Sequence, residues 1–336
     1  MPSLKYLTRV LKGARFDKLN RTLTLVKEQS GQSKVRTFFS ILWCAARYGA
    51  GYHDYVMFGF YDMNGRQRNT YLTRIRNKKV CETLNNYAFV DEFDDKNRFN
   101  ERFSEFLRRK TVNVETCTSE EFKTFLEGLD CIFAKPNHSD SGKGIEKLKL
   151  SDQPDADQLL EYLRGKKLAI AEEAIRQHPD MARLHPSSVN SLRIVTDFVD
   201  DTVHVAYITA KMGRGDCFCD NNGKGGLFCR VDMQTGRICS VASDVDLKTY
   251  EKHPDTGVSF VGYRLPMIPE AIELVKRAAR VIPQMRHIGW DVAITPDGPA
   301  IIEGNEYPGT DLCQFASHYP EKCGLWPYYK KLLKRK

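Results

Sequence analysis

Residues 288–309 read Ile-Gly-Trp-Asp-Val-Ala-Ile-Thr-Pro-Asp-Gly-Pro-Ala-Ile-Ile-Glu-Gly-Asn-Glu-Tyr-Pro-Gly, and no other stretch of the chain is as informative. Two apolar, β-prone runs flank Pro-Asp-Gly at residues 296–298, which predicts a β-hairpin. A hairpin centred on Asp297 would place Asp291 directly opposite Glu303. Asn305 would lie on the same face, because side chains alternate along a strand with a period of two.

Two carboxylates directly opposite each other on a sheet repel, so this pair predicts a bound cation. An Asp, Glu and Asn set offers only oxygen ligands, which favours Mg²⁺ or Mn²⁺ over zinc. Magnesium held by few protein ligands usually also binds phosphates. The alternative is a surface hairpin with solvated acids. Pro299 lacks an N–H and could shift the pairing by one residue through a β-bulge.

The composition is that of an ordinary globular protein large enough for two or three subdomains. The chain has 336 residues, of which 41% are hydrophobic and 28% are charged. Its longest apolar stretches are much shorter than the ~20 residues that a membrane-spanning helix needs. No secretory signal is visible, so we predict a cytoplasmic protein. The ten cysteines are scattered, and we expect reduced thiols.

The net charge of +8 is concentrated at the two ends of the chain. Leu4, Leu7 and Leu11 alternate with basic residues at helical spacing, and residues 330–336 are also basic. These ends could touch an anionic membrane surface, or the charges could lie on a solvated helix face. We expect no nucleic-acid partner, because no nucleic-acid-binding motif accompanies the charge.

The pattern of apolar residues predicts an α+β protein. Helical spacing occurs at residues 37–48, 70–84, 96–110, 119–126, 155–164 and 270–282. Strands are predicted at residues 131–135, 144–150, 167–172, 191–198, 202–212, 226–232 and 237–242. We divide the chain into a helical region (1–90), a small subdomain (91–175) and a large subdomain (176–336).

Several polar groups in these subdomains suit phosphate binding. Lys135 ends a strand, and the loop at residues 137–144 offers backbone N–H groups, hydroxyls and a cation. This loop lacks the spacing of a P-loop, and a plain hairpin turn is the alternative. Arg193 lies in an apolar strand and therefore needs an anionic partner, either a phosphate or oxyanion or a structural salt bridge.

Taken in order, these motifs resemble the ATP-grasp superfamily, and most closely its sugar-transfer-associated branch. The resemblance covers about residues 90–315, extends into the helical N-terminal region and is carried by short segments in a fixed order. They are Asp95-Lys96, residues 133–136, Ser141-Gly142-Lys143-Gly144, Glu172-Glu173, residues 188–193, Asp220-Asn221, Gly225-Gly226, residues 253–257, residues 289–291 and residues 302–305. The first 90 residues differ from the parallel-sheet front domain that is usual in the superfamily.

The resemblance implies a fold of two α+β subdomains with antiparallel sheets that grip ATP, and it implies a role for each matching residue. Lys96 and Lys135 would hold the α- and β-phosphates, the loop with Ser141, Gly142, Lys143 and Gly144 would close over them, and Asn221 would also contact the nucleotide. Glu172 and Glu173 would line adenine and ribose.

Arg193 and Lys211 would meet the γ-phosphate and the reacting carboxylate. Asp291, Glu303 and Asn305 would bind two Mg²⁺ ions.

The implied function is an ATP-dependent carboxylate–amine ligase that works through an acyl phosphate. The name of the branch adds a sugar acid or glycan-biosynthesis intermediate as a small-molecule substrate. One alternative is an ATP-grasp phosphotransferase that stops at a phosphorylated hydroxyl. Another is a non-catalytic nucleotide-binding module docked on a membrane or a glycosyltransferase.

Overall fold

The computed structural model describes residues 16–138, 144–153, 155–217, 225–310 and 312–335. Its N-terminal part is helical. The first helices are α1 (Phe16–Ser30), α2 (Lys34–Tyr48), α3 (Tyr52–Met57), α4 (Gly65–Arg68) and α5 (Arg74–Leu84). Helix α2 begins where the Ser33 side chain accepts the N–H of Arg36, and it ends at Gly49, whose φ of 70° is left-handed.

The N-terminal helices share a core with the large sheet described below. Aromatic residues of this region, such as Tyr55, Phe60 and Tyr71, pack with Phe228 and Phe315. Phe228 and Phe315 lie more than 150 positions further along the chain, so this region is not a separate body. Within the part of the chain that the structure describes, every helix is too short or too polar to cross a lipid bilayer.

The predicted helix at residues 96–110 is wrong in its length. The chain instead forms α6 (Asp91–Asp94), α7 (Lys96–Arg102) and α8 (Ser104–Leu107). Phe93, Phe103 and Phe106 pack in the core of the large sheet, and Arg108 takes a left-handed φ of 47°. Tertiary burial of these rings overrides the helical spacing, and the turn at Arg108 leads directly into a strand.

The small sheet is antiparallel, with the strand order β1-β4-β2-β3. Its strands are β1 (Thr111–Asn113), β2 (Cys131–Lys135), β3 (Glu146–Lys149) and β4 (Ile170–Glu173). Helices α9 (Ser119–Leu126) and α10 (Ala156–Gly165) cover one face through a core that includes Phe122, Ile132 and Leu160. A capping box between Thr118 and Glu121 begins α9.

The large sheet is also antiparallel and follows the order β10-β9-β7-β6-β5-β11-β12, with β8 paired to β7. Its strands are β5 (Ser191–Val199), β6 (Thr202–Met212), β7 (Leu227–Asp232), β8 (Arg237–Ile238), β9 (Ala242–Ser243), β10 (Thr249–Tyr250), β11 (His287–Thr295) and β12 (Gly298–Asn305). The remaining helices are α11 (Pro179–Ala182), α12 (Ile268–Ala278) and α13 (Trp326–Leu332). The strand predicted at residues 237–242 is therefore two short strands.

The two faces of the large sheet differ in chemistry. On one face, Ile194, Ile208 and Trp290 belong to an apolar core that also takes in α12 and the phenylalanines of α6–α8. Because side chains alternate along each strand, Arg193, Lys211 and Asp291 lie on the other face. The β5–β6 hairpin turns at Asp200 and Asp201, both with positive φ, between the strands predicted at residues 191–198 and 202–212. The predicted α+β class is confirmed.

Candidate active site between the two sheets

The β11–β12 hairpin pairs Asp291 with Glu303, as the sequence predicts, but its turn and its register differ from those predicted. Its turn has two residues, with Thr295 paired to Gly298. That register alone would place Ile302 opposite Asp291. A β-bulge next to Asp291 absorbs Ile302, so Glu303 becomes the partner and Gly289 pairs with Asn305. Without the bulge, Glu303 would lie on the opposite face.

Three charged side chains form a row across neighbouring strands of the large sheet. Arg193 on β5 and Glu303 on β12 flank Asp291 on β11. Arg193 donates two hydrogen bonds to Asp291, from Nε to Oδ1 at 2.6 Å and from Nη2 to Oδ2 at 2.9 Å. The Nζ of Lys211 donates to the same Oδ2 at 3.1 Å. Of the two alternatives for the partner of Arg193, the structure therefore shows the salt bridge.

The row depends on a close approach at Gly289. A Cβ at this position would lie 2.9 Å from the Cβ of Pro308 and 3.2 Å from the Cδ of Arg193. Any larger residue would push Arg193 away from Asp291. The amide of Asn305 donates to the carbonyl of Gly289 at 3.3 Å and reaches Oε1 of Glu303 at 3.5 Å.

The two opposed carboxyl groups shift in opposite directions. Burial of Asp291 disfavours its charged form, but Arg193 and Lys211 outweigh this effect and hold its pKa well below the usual range. Glu303 reaches solvent at the open side of the row, yet the surrounding protein limits the hydration of its carboxyl group. This desolvation, together with the charge of Asp291, raises the pKa of Glu303.

Glu172 on β4 is the centre of a second charged cluster, which lies on the small sheet. It is buried and forms ion pairs with the Nζ of Lys135 on β2 and the Nε of Arg109. Asn100 also donates to Oε1 of Glu172 at 3.3 Å. Burial opposes the charge on Glu172, but Arg109 and Lys135 overcome it and lower its pKa to about 2.

Arg109 connects this cluster to the hairpin, and sequence reasoning missed it. Its side chain is only 2% exposed. It donates to the carbonyl oxygens of Ile301 at 2.7 Å and Ile302 at 3.2 Å, on either side of the bulge, as well as to Glu172. Neighbouring Arg108 donates to the carbonyl of Asp297 in the turn at 3.1 Å. The local sequence gives no signal that distinguishes Arg109 from the basic residues beside it.

Of the other residues predicted to contact the nucleotide, the structure describes Lys96, Gly144 and Glu173. Lys96 begins α7, and its Nζ donates to the carbonyl of Asn137 at 3.1 Å, which places it beside the start of the predicted phosphate loop. Gly144 ends that loop with a φ of 73°. Glu173 accepts the N–H of Lys110 at 3.0 Å. Ser141, Gly142, Lys143 and Asn221 lie outside the described residues.

A buried polar network supports the turn that follows Lys211 at the end of β6. The hydroxyl of Ser188 accepts the N–H of Gly213 at 3.1 Å and lies 2.8 Å from Nδ1 of His185. His253 stacks on His185 and donates from Nε2 to the carbonyl of Gly213 at 2.9 Å. A Cβ at Gly213 would lie 2.5 Å from the Ser188 hydroxyl, so the packing requires glycine there.

The donor set on the large sheet fits a hard divalent cation. Asp291 accepts three hydrogen bonds, and a carboxylate has about four lone-pair sites, so one site remains. Glu303 and the side-chain oxygen of Asn305 complete an all-oxygen set, which suits Mg²⁺. Among the described residues, no group of three His, Cys, Asp or Glu side chains lies close enough to hold a metal. The candidate set therefore consists of two carboxylates and one amide.

The two antiparallel sheets and the helices at the N-terminus are consistent with an ATP-grasp α+β fold. Residues 75–319 match the family described as sugar-transfer associated ATP-grasp. This match spans most of the chain, which therefore belongs to that family, and the resemblance seen in the sequence is confirmed. No curated protein sequence matches the chain.

Several solved structures resemble the chain distantly. They include D-alanyl-alanine synthetase A from Vibrio cholerae, with 11% identity, a TM-score of 0.41, and coverage of 73% of this chain and 66% of that one. L-amino acid ligase from Bacillus licheniformis shows 16% identity, a TM-score of 0.41, and coverage of 73% and 49%. The ATP-grasp ligase PsnB shows 14% identity, a TM-score of 0.40, and coverage of 72% and 62%. The chain thus spans between about half and two thirds of the length of these proteins.

Proposed function

We propose that the protein is an ATP-dependent ligase that joins a carboxylate to an amine through an acyl phosphate. The observation that carries this proposal is the row of Glu303, Asp291 and Arg193, with Lys211 beside it, on the polar face of the large sheet. Opposed carboxylates next to two cations suit a reaction in which a metal–phosphate group meets a second anion. Family membership supports the same conclusion.

In the first step, an oxygen of the substrate carboxylate attacks the γ-phosphorus of ATP. The bond from that phosphorus to the bridging oxygen breaks, and ADP leaves with the electron pair. Arg193 and Lys211 bring their positive charges to the place where the two anions approach each other. Lys135 and Lys96 would hold the phosphates that remain on ADP.

In the second step, the amine nitrogen attacks the acyl carbon. The new C–N bond forms while the bond from carbon to the phosphate oxygen breaks, so phosphate leaves and the amine loses a proton. This chemistry needs no Ser or Cys nucleophile, because position and charge supply the catalysis. Asp291, Glu303 and Asn305 would hold Mg²⁺, which when bound offsets the charge on phosphate oxygens.

We propose a sugar acid or a glycan-biosynthesis intermediate as one substrate. The description of the family as sugar-transfer associated is the support for this part of the proposal. The reaction would take place in the cytoplasm, where ATP is available. The loop with Ser141, Gly142 and Lys143 would close over the phosphates, and Glu172, Glu173 and Asn221 would complete the nucleotide contacts.

The test is ADP release by the purified protein with ATP, Mg²⁺ and pooled sugar acids and amino acids, with hydroxylamine added to trap acyl phosphates. A hydroxamate that forms only with the wild-type protein, and not with Glu303→Gln, supports the ligase and identifies the acid. ADP and a stable phosphoester without hydroxamate would replace the ligase by a phosphotransferase. Nucleotide binding without ADP release from any substrate pool would favour the non-catalytic module.

A further inference from the structure

Helix α2 presents apolar residues on its outer face as well as on its inner one. Ile41, Cys44 and Tyr48 are buried against the N-terminal core. On the other side, Val35, Phe39 and Trp43 are 67%, 64% and 60% exposed. They recur every four residues and so form one continuous stripe. A helix that is apolar on both sides is typical of a segment covered from both sides.

Exposed cations border this stripe. Arg36 and Arg47 lie next to it on α2, and Arg66 on α4 lines a groove of about 620 Å³ together with Arg47, Asn64 and Asn69. Arg36, Arg47 and Arg66 form no ion pair with an acid in the described part of the chain. Arg76 contributes a further positive charge, held over the ring of Trp326 and by the carbonyl oxygens of Asn69 and Tyr71.

The sign of this charge decides which partner suits the surface. A second copy related by a twofold axis would set these arginines against their own equivalents, which is unfavourable. Residues 1–15 carry four basic residues and no acid, so they have the same positive charge as the border of the stripe and would be repelled by it. An anionic lipid surface complements both the apolar stripe and its border of arginines, because it accepts apolar side chains and attracts positive charge.

We propose that the outer face of α2, defined as Val35, Phe39 and Trp43 with Arg36, Arg47 and Arg66, docks on membranes that contain anionic lipids. The apolar stripe enters the boundary between headgroups and acyl chains, where tryptophan is favoured. The groove between Arg47 and Arg66 offers guanidinium and amide donors to a lipid phosphate. This surface uses none of the residues of the candidate active site, so its test is independent of the ligase proposal.

The experiment is co-sedimentation of the full chain with phosphatidylcholine vesicles that contain or lack phosphatidylglycerol. The wild-type protein should bind the anionic vesicles and not the neutral ones. Phe39→Ser with Trp43→Ser should weaken binding by about tenfold or more, because two large apolar groups no longer enter the lipid. Arg47→Gln with Arg66→Gln should also weaken it by about tenfold.

Matched controls test whether vesicle binding depends on this surface or on exposed apolar side chains and cations in general. Val245→Ser with Val261→Ser removes two other exposed apolar groups, and Lys149→Gln with Lys252→Gln removes two other exposed cations. Both double variants should bind as the wild type does. Thermal unfolding of the Phe39 and Trp43 variant should match that of the wild type, because both side chains are mostly exposed.

Tryptophan fluorescence adds a measurement that reports on position. The emission of the wild-type protein should shift to the blue when anionic vesicles are added, and Trp43→Phe should bind without that shift. Equal binding to both kinds of vesicle, wild-type affinity in the Phe39 and Trp43 variant, or no vesicle binding at all would overturn the proposal. So would a stable wild-type dimer that dissociates in that variant, because a second copy would then cover the stripe.

Discussion

Asp291 on the large sheet and Glu172 on the small sheet have almost the same surroundings. Both are buried, and each carboxylate is held by one arginine and one lysine. In both cases these cations lower the pKa against the effect of burial. The difference is the cross-strand neighbour. Asp291 faces Glu303, whereas Glu172 faces Phe133 on β2 and Thr111 on β1.

That one neighbour changes the net charge of each cluster and therefore the ligand it suits. With Glu303, the two acids of this cluster balance the positive charges of Arg193 and Lys211, and the carboxylates can accept a cation. Without a second acid, the cluster on the small sheet keeps one positive charge, which suits a phosphate. We therefore propose that similar triads of arginine, lysine and carboxylate serve opposite purposes on the two sheets.

The largest effect should come from the two acids of the large sheet. Asp291→Asn and Glu303→Gln should each reduce ADP release by about a hundredfold or more, because both remove a ligand of the proposed metal. Their stabilities should differ. Asp291→Asn leaves two buried cations without their partner, at a cost of about 3–5 kcal/mol in the free energy of unfolding. Glu303→Gln removes a repulsion and should not lower stability.

Urea unfolding and turnover, measured on both variants, check this contrast. Normal turnover in either variant would contradict the site assignment. Equal destabilisation of the two variants would show that Glu303 contributes to the fold in the same way as Asp291, and the distinction between the clusters would be lost.

The cluster on the small sheet should show a marked dependence on pH. Because the folded-state pKa of Glu172 is about 2, well below its unfolded value, ionised Glu172 stabilises the folded state. The contribution is about 3 kcal/mol above pH ~4.5, and it is lost as the pH falls towards 2. The difference in unfolding free energy between wild type and Glu172→Gln should therefore shrink over that range. A difference in unfolding free energy that stays constant from pH 7 to pH 3 would contradict the lowered pKa of Glu172.

Arg109→Lys should test whether the two clusters are coupled. The substitution keeps the charge but cannot hold Glu172 and both bulge carbonyls with one planar group. We expect a loss of about 2 kcal/mol in stability, because buried carbonyls lose their donor. Nucleotide affinity and turnover should fall together. Arg108→Lys is the matched control, since its single contact to the turn is exposed, and it should behave as the wild type.

The smallest effect should come from giving the small sheet a second acid. Thr111→Glu places a carboxylate directly opposite Glu172 and removes the excess positive charge. ATP should bind about tenfold more weakly in titration calorimetry, a change of about 1.4 kcal/mol. Asn113→Glu on the same strand, opposite Ile170, is the control and should bind ATP more tightly than Thr111→Glu. Unchanged affinity in Thr111→Glu would remove the charge argument.

The sequence predicted what depends on local chemistry. Strong turn residues at 296–298 and the period of two predict Asp291 opposite Glu303, and Pro299 indicates a bulge as an alternative. The two-residue turn with a bulge at Ile302 was not predicted, because both arrangements give the same partner for Asp291. The pairing alone cannot distinguish them.

Contacts between distant elements were beyond reach from the sequence. Among Arg108, Arg109 and Lys110, only the packing of the two sheets decides which side chain is buried. Helical spacing at residues 96–110 was real, yet burial of Phe103 and Phe106 broke the helix. The roles of Glu172 and Arg193 also stay predictions, because both side chains hold protein partners here.

Strand β12 ends the order of the large sheet, and such a strand offers its outer backbone groups to any other extended chain. On this strand Arg109 donates to the carbonyl oxygens of Ile301 and Ile302, and Arg108 donates to the carbonyl of Asp297 in the adjoining turn. These contacts therefore also hinder the pairing of β12 with a strand of another molecule. Replacing both arginines should lower the solubility of the protein during expression and storage, even where it still folds.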